Sequence, residues 1–245
     1  MMGYLSPTSP CVLYGQPGQY ADQHIHSWAL SLDNARIEVK LIIFGSTGSI
    51  GRQLVKQALE QGHMVTAFAR DPVRVDIKHN NLQVAQGNVM DPASVERAVQ
   101  GHEAVLCSIG AGRKGTVRSE GTRNIIRAME KADVRRLICQ TTLGVGDSQG
   151  NLNFFWKYIM FGFFLRPMFA DHILQENYVK QSHLDWIIVR AGAFTDGNRT
   201  GEYQHGFPDT DQTTKLKISR ADVADFILKQ LTDDTYLHKT PGLSY

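Results

Sequence analysis

The sequence predicts an α/β fold in which a parallel sheet is doubly wound, with helices on both of its faces. Near residue 45 a glycine-rich turn joins an apolar run to an amphipathic stretch, and apolar runs then alternate with helical patterns along the chain. The 245 residues are 42% hydrophobic, which is enough for one sizeable core, and no feature divides residues 37–245. We therefore expect a single domain of the Rossmann type over residues 37–245.

The first strand and its glycine-rich turn are the most informative segment. The apolar run Leu41–Phe44 is typical of a strand buried on both faces, and three glycines spaced three apart follow it. Leu54, Val55 and Ala58 then give the next stretch the apolar face of a helix. Backbone N–H groups and the positive end of the helix dipole converge at such a turn, where a dinucleotide pyrophosphate can sit. The predicted cofactor loop comprises Gly45, Ser46, Thr47, Gly48, Ser49, Ile50 and Gly51.

The later elements alternate as a parallel sheet requires. Asp71 and Asp91 each precede a proline, which is typical of the first turn of a helix or of a tight turn. Ser219 is the expected cap of the last helix. The predicted strands are Val65–Ala69, Leu82–Gln86, Ala104–Ile109, Leu137–Thr141 and Trp186–Val189. The predicted helices are the one that begins at Pro92, Ser119–Ala132, 153–165, 168–182 and Arg220–Leu231.

Arg70 follows the second strand, at the position where an acidic residue would hold a ribose 2′-hydroxyl. A guanidinium there suits the additional 2′-phosphate of NADP, because it pairs with phosphate as a fork. The alternative is an ordinary exposed arginine before a turn. The neighbouring Asp71 weakens the distinction between a basic and an acidic residue at this position. We expect NADP(H) rather than NAD(H).

The ends of the other strands supply the remaining predicted cofactor contacts. In this fold ligands bind at the carboxyl ends of the strands. Small and polar residues occur there, in the turn 87–89 after the third strand, in the loop 108–112 and in the turn 191–194. Small residues allow the backbone to approach a cofactor. The predicted contacts are Asn88, Val89, Ser108, Ile109, Gly110, Thr141 and Gly192.

Several stretches resemble a known family. They are Gly45-x-x-Gly48-x-x-Gly51, Ala69-Arg70-Asp71-Pro72, Ser119–Ile125 and Val189-Arg190-Ala191-Gly192, with weaker matches at Asp171-His172 and Ile218–Ala224. Over residues 38–245 the chain resembles the atypical short-chain dehydrogenase/reductases, in particular the flavin reductase and biliverdin reductase B-like NAD(P)H-binding proteins, with the NmrA-like proteins nearby. The resemblance implies NADP(H) held by the glycine loop and Arg70. It also implies hydride delivery to a flavin, a tetrapyrrole or a related planar acceptor.

The chain departs from that family pattern in two places. The Tyr-x-x-x-Lys pair of carbonyl-reducing members is absent, because Tyr158 is followed four residues later by Gly162 and Tyr178 by Ser182. The biliverdin-reducing branch has a histidine shortly after the sixth strand, where this chain has Ala193-Phe194. These departures argue against ketone chemistry and tetrapyrrole reduction, and they leave a flavin (FMN, FAD or riboflavin) or a quinone as the acceptor.

Three residues are candidates for catalysis: His172, Thr142 and Glu176. His172 and Glu176 are one helical turn apart and can face the same side of the helix. Extended members of the superfamily have a Lys and a Glu at comparable positions on the helix that follows the fifth strand. His172 would donate a proton, and Thr142 would orient the acceptor or the carboxamide. The alternatives are a surface His–Glu pair and a plain threonine at a strand end.

Composition excludes several kinds of partner. The net charge is +2 with scattered basic residues, which does not indicate nucleic-acid binding, and no histidine or cysteine spacing suits a metal. The stretch 154–169 is interrupted by Lys157, Arg166 and Pro167, so no membrane insertion is expected. Three widely separated cysteines indicate reduced thiols and hence a cytoplasmic protein. A monomer or weak homo-oligomer is expected.

Two further segments lack a firm assignment. Residues 1–36 show no periodicity and are expected to be a disordered extension, or to result from a start codon assigned upstream of the real one. A transit peptide is a further alternative, against which no arginine occurs before Arg36. A small substrate region is expected over 151–182 and 194–216. Its aromatic residues would form either a wall over a planar substrate or part of a core or interface: Phe154, Phe155, Trp156, Phe161, Phe163 and Phe164.

The leading functional hypothesis is an NADPH-dependent oxidoreductase that passes hydride to a small planar acceptor such as a flavin or quinone. The alternative is a non-catalytic NADP(H)-binding protein that senses redox state or assists assembly, as NmrA-like proteins do. A nucleotide-sugar epimerase or dehydratase ranks last, because little chain follows the sixth strand to build a substrate domain.

Overall fold

The computed structural model describes residues 38–110, 115–151 and 166–245. Three predictions fall outside these ranges: the disordered extension over 1–36, the loop residues 111 and 112, and the helix over 153–165 with its aromatic residues. The aromatic wall and residues 152–165 of the first substrate segment are therefore untested.

The described residues form a mostly parallel sheet of eight strands in the order β3-β2-β1-β4-β5-β6-β10-β8. Neighbouring strands from β3 to β10 run parallel, and β8 pairs antiparallel with β10 at one edge. The strands are β1 (Lys40–Phe44), β2 (Met64–Ala69), β3 (Leu82–Gln86), β4 (Ala104–Cys107), β5 (Arg136–Thr142), β6 (Asp185–Ala191), β7 (Ala193–Thr195), β8 (Gln204–His205), β9 (Lys217–Ser219) and β10 (Gly242–Ser244). Strands β7 and β9 pair separately.

Helices cover both faces of the sheet. Apolar side chains of α1 and α5 pack on one face, and those of α2, α3 and α4 pack on the other. This double cover explains why β1 is an uninterrupted apolar run rather than an alternating one. The helices are α1 (Ser49–Glu60), α2 (Pro92–Val99), α3 (Val117–Ala132), α4 (Arg166–Gln181) and α5 (Arg220–Lys229).

The predicted doubly wound Rossmann-type sheet is thus confirmed, with corrections at its margins. Strand β4 ends at Cys107 rather than at Ile109, and Asp71-Pro72 begins a single 3-10 turn over Pro72–Arg74. The caps are as expected, since Asp91 accepts a hydrogen bond from Ala93 N and Ser219 accepts one from Asp222 N. Four short strands, β7 to β10, were not predicted, because two or three residues are too few to show a pattern.

No helix in the described part of the chain is long and apolar enough to cross a bilayer. Cys107 and Cys139 lie side by side on β4 and β5, buried and not disulfide-bonded.

Candidate functional site

A cavity of about 330 Å³ opens at the carboxyl ends of four adjacent strands, β3, β2, β1 and β4. It lies where the strand order reverses, since β1 has β2 on one side and β4 on the other. Such a switch point is where doubly wound sheets bind their ligands. The lining residues are Phe44, Gly45, Thr47, Gly48, Phe68, Ala69, Arg70, Arg74, Asn88, Val89, Met90, Ile109, Gly110 and Val117.

The glycines of the first turn are required by close approaches of the backbone. Gly45 has a φ of +85°, and a Cβ there would collide with the carbonyl oxygen of Ser108 on the neighbouring strand end. A Cβ on Gly51 would collide with the carbonyl oxygen of Gly45, so helix α1 packs directly on the turn. A Cβ on Gly48 would lie 3.1 Å from that same oxygen, a tight approach but a less severe one. Two glycines therefore build the turn, while Gly48 is left to face the cavity.

The N-terminus of α1 is an open anion site. Gly48 is its N-cap residue, no side chain caps the helix, and its first turn has no acidic residue. The N–H groups of the first helical turn have no partner within the helix, and the positive end of the helix dipole adds to their potential. This end of the helix therefore suits the negatively charged oxygens of a pyrophosphate.

Two arginines place positive charge at the end of β2. Arg70 and Arg74 both line the cavity, and both are exposed. Neither side chain has an ion-pair or hydrogen-bond partner among the described residues. The carboxylate of Asp71 is turned away to cap the 3-10 turn by accepting a hydrogen bond from Val73 N at 3.2 Å. Two guanidinium groups are thus free to pair with a phosphate outside the protein.

Arg74 is a site residue that sequence reasoning missed. It lies four residues after Arg70, and the intervening Pro72 bends the chain into the turn that brings both arginines to one cavity. The signal in the sequence was the second arginine of Arg70-Asp71-Pro72-Val73-Arg74.

The end of β3 and the start of α3 form an apolar side of the cavity. Val89 and Ile109 both line it, and a Cβ on Gly121 of α3 would lie 2.9 Å from a Val89 methyl group. The amide of Asn124 donates to the carbonyl oxygen of Val89 at 3.0 Å, which fixes this loop. Asn88 accepts a hydrogen bond from Met90 N at 3.1 Å. A flat apolar group such as a nucleobase suits this side.

Seven predicted cofactor residues do not line the cavity. The Ser46 hydroxyl donates to Phe68 O at 2.8 Å, and the Ser108 hydroxyl donates to the side chain of Gln140 at 3.2 Å. Gly192 allows the backbone at Leu216 to pass close to it. Ser46 and Ser108 are buried, so their hydroxyls support the turns rather than face the cavity. The seven residues are Ser46, Ser49, Ile50, Gly51, Ser108, Thr141 and Gly192.

The predicted catalytic Glu176 belongs to a buried ion network. Arg190 is fully buried and donates to both carboxylate oxygens of Glu176, at 3.0 and 2.8 Å, and it also pairs with Asp147. Thr141 donates to Glu176 at 3.0 Å, and Lys180 donates at 3.2 Å. Burial would raise the pKa of Glu176, but the hydrogen bonds and charge of Arg190, with help from Lys180, hold that pKa below its ordinary value. We refer to these five residues as the Arg190 network.

His172 is also buried, with 6% of its surface exposed, and its Nδ1 lies 3.1 Å from the side-chain oxygen of Gln175. Burial, with the nearby charge of Arg118, lowers the pKa of His172 to about 4. The imidazole is therefore neutral near pH 7. His172 and Glu176 do not form the surface pair considered above, since both are buried. Thr142 lies half-buried at the end of β5, where its hydroxyl contacts Leu143 O at 3.3 Å.

Metal chemistry finds no support in the described ranges. No cluster of three or more His, Cys, Asp or Glu side chains in them could hold a metal ion. The cavity residues instead combine free cations, open backbone N–H groups and an apolar side, which is the donor set that a dinucleotide requires.

Comparison with known proteins agrees with this geometry. Residues 45–234 match the family model described as NAD(P)H-binding. The chain belongs to this NAD(P)H-binding family. The match begins at the first glycine of the cofactor loop and includes every lining residue except Phe44. The predicted resemblance to NAD(P)H-binding reductase-like proteins is thereby confirmed.

Individual relatives differ in what they do. Photosystem II assembly factor Ycf39 from Synechocystis is 24% identical over 82% of this chain, which spans 61% of the length of Ycf39. ChuY, an anaerobilin reductase from Escherichia coli O157:H7, is 26% identical with a TM-score of 0.67, covering 83% of this chain and 96% of ChuY. A short-chain dehydrogenase/reductase from Veillonella parvula, solved in complex with NADP, has a TM-score of 0.70 at 21% identity, covering 84% and 94% of the two chains.

Proposed function

We propose that this protein is an NADPH-dependent reductase that transfers hydride to a small planar acceptor, a flavin or a quinone. The observation that carries the proposal is the cavity at the switch point, which is lined by the uncapped N-terminus of α1 and by two unpaired arginines. Membership of the NAD(P)H-binding family supports the cofactor class.

The preference for NADPH over NADH rests on Arg70 and Arg74. Both guanidinium groups lie at the end of β2, where the adenosine ribose of a dinucleotide sits in this fold. A 2′-phosphate would satisfy both, whereas a bare 2′-hydroxyl would leave two cations without an anion. The apolar side at Val89 and Ile109 suits the adenine ring.

When bound, the nicotinamide supplies the hydride, and the protein contributes binding and orientation. The proposed acceptor is one whose reduction needs no protein acid. Among the described residues the cavity offers no carboxyl, imidazole or phenol, and His172 and Glu176 are engaged elsewhere. A flavin or quinone fits, because its reduced form can take a proton from water. The buried free thiols fit a reducing compartment such as the cytoplasm.

The test is a titration with NADPH and NADH, followed by turnover with FMN, FAD, riboflavin and a soluble quinone. We expect NADPH to bind about tenfold more tightly than NADH, and at least one acceptor to be reduced with consumption of NADPH. Equal affinity for the two nucleotides would remove the proposed preference for NADPH. Tight NADPH binding without turnover on any acceptor would leave the second candidate.

The second candidate is a non-catalytic NADP(H)-binding protein that senses redox state or assists assembly. It is favoured by one observation, that all three predicted catalytic side chains contact other protein groups and none lines the cavity. The similarity to Ycf39 supports it as well. Discrimination between NADP⁺ and NADPH in binding, with no turnover, would select it over the reductase.

A further inference from the structure

Arg52 forms a bridge between the two phosphate-binding elements of the cavity. It lies in the first turn of α1, one residue after the glycine motif, and it does not line the cavity. Its Nε contacts Thr47 O at 3.3 Å in the glycine loop, and its Nη2 contacts Arg74 O at 3.3 Å in the arginine turn. Its Nη1 pairs with Asp76 at 3.0 Å. One side chain thus contacts the loop, the turn and the segment that follows the turn.

The arginine turn has few other attachments to the glycine loop. The β1–β2 ladder ends at the pair Phe44 and Phe68, before the turn begins. Inside the turn, the hydrogen bonds at Asp71 and Pro72 are local. Among the described residues, no hydrogen bond other than those of Arg52 joins residues 45–52 to residues 70–77. The partly buried Val75 and Ile77, which pack against the core cluster that includes residues of α1, hold the segment after the turn. Among hydrogen bonds, those of Arg52 fix the position of Arg74 relative to the loop.

We propose that Arg52 and Asp76 are positioning residues that select a 2′-phosphorylated dinucleotide, by holding the arginine turn at the correct distance from the pyrophosphate loop. This inference rests on the proposed NADPH function and extends it. A fork of three hydrogen bonds suits the role, because it fixes direction as well as distance. Preorganising Arg70 and Arg74 lowers the entropy cost of ordering them around a phosphate.

The Asp76→Asn variant tests the proposal by the sign of its effect. Removing a carboxylate near the 2′-phosphate would tighten NADPH binding if only the electrostatic field mattered. If the carboxylate instead holds Arg52 in place, its removal loosens the turn and weakens NADPH binding. We expect NADPH affinity to fall about threefold, because both partners are exposed and such pairs are individually weak, while NADH affinity stays unchanged.

The matched control is Glu60→Gln. Glu60 lies on the same helix in an exposed ion pair with Lys56, and it has no contact with the arginine turn. This variant loses the same charge, and we expect no fall in the ratio of NADPH to NADH affinity. Equal thermal midpoints for both variants and the wild type would show that the fold is retained.

A double-mutant cycle completes the test. Arg52→Gln should lower NADPH affinity, and adding Asp76→Asn should lower it no further, because the two side chains act as one unit. Arg52→Lys should restore only part of the loss, since an ammonium group cannot form the three-way fork. Suppose that the wild-type protein prefers NADPH and that Asp76→Asn tightens NADPH binding or leaves it unchanged. The positioning role is then overturned, and the proposed function stands. A wild type without that preference overturns both.

Discussion

Charged residues have opposite roles in two regions at the carboxyl ends of the strands. At the ends of β1 and β2 the positively charged groups are open, because the first turn of α1 is uncapped and Arg70 and Arg74 are unpaired. At the ends of β5 and β6 the polar groups satisfy one another, as Arg190 pairs with Glu176 and Asp147. A charged residue near a strand end is therefore a ligand-binding group only where the protein leaves it without an internal partner.

The difference follows from burial. Arg190 is fully buried, and a buried cation must be paired within the protein because its desolvation is costly. Arg70 and Arg74 are exposed, so water solvates them until a ligand arrives. The first arrangement stabilises the junction of β6 with α4. The second leaves positive charge available for binding.

The largest effect is expected in the buried network. Glu176→Gln should lower the free energy of unfolding by about 3 kcal/mol, because it leaves Arg190 buried with only part of its charge compensated. Urea denaturation measures the change. The half-buried Glu96, which pairs with the exposed Lys131, provides the control Glu96→Gln, and its effect should stay within about 0.5 kcal/mol. NADPH affinity of folded Glu176→Gln protein should be unchanged, and a large loss of affinity would contradict the separation of the two regions.

The second-largest effect is expected on nucleotide affinity at the glycine loop. Gly48→Val should weaken both NADPH and NADH by about a hundredfold, because the side chain occupies the space of the pyrophosphate. The fold should persist, since the Gly48 φ of −75° suits any residue and a Cβ 3.1 Å from the Gly45 oxygen requires only a small shift of the backbone. Calorimetric titration checks the affinity, and thermal melting checks the fold. Unchanged affinity would remove the cofactor loop from the site.

A smaller and more selective effect is expected at the arginines. Arg70→Glu should weaken NADPH about tenfold and NADH far less, because a like charge replaces a phosphate partner. Arg97→Glu makes the same charge change on an exposed residue of α2 that does not line the cavity, and it should not alter the NADPH to NADH ratio. Equal losses for both nucleotides in Arg70→Glu would mean that Arg70 does not contact the 2′-phosphate.

At neutral pH the smallest effect is expected at His172, and this effect grows as the pH falls. Its pKa in the folded protein is about 4, below the ordinary 6.5, so the unfolded chain binds more protons between these values. The free energy of unfolding is therefore unaffected by protonation of His172 above pH 6.5. It decreases as the pH falls towards 4, by about 1 kcal/mol per pH unit. His172→Gln should flatten the pH dependence of unfolding in that window. NADPH oxidation near pH 7 should continue, and its abolition in folded His172→Gln protein would restore His172 as the proton donor.

Much of the candidate cofactor site could be predicted from the sequence, because its residues are contiguous or nearly so. The strand, the three glycines and the helix are contiguous, and Arg70 follows the next strand directly. Their chemistry depends on backbone conformation and on spacing within one or two elements. The same holds for the doubly wound sheet, since the alternation of apolar strands and amphipathic helices is a property of neighbouring residues.

Tertiary structure decided which polar residues are free. Glu176 and Arg190 are 14 positions apart in sequence, and only the packing of α4 against β6 brings them together and buries both. His172 and Glu176 share a helix, but burial rather than helical spacing determines their charge states. The bridge made by Arg52 likewise joins segments separated by β2. Local patterns determined where polar groups occur, and long-range packing determined whether each one is satisfied inside the protein or is left for a ligand.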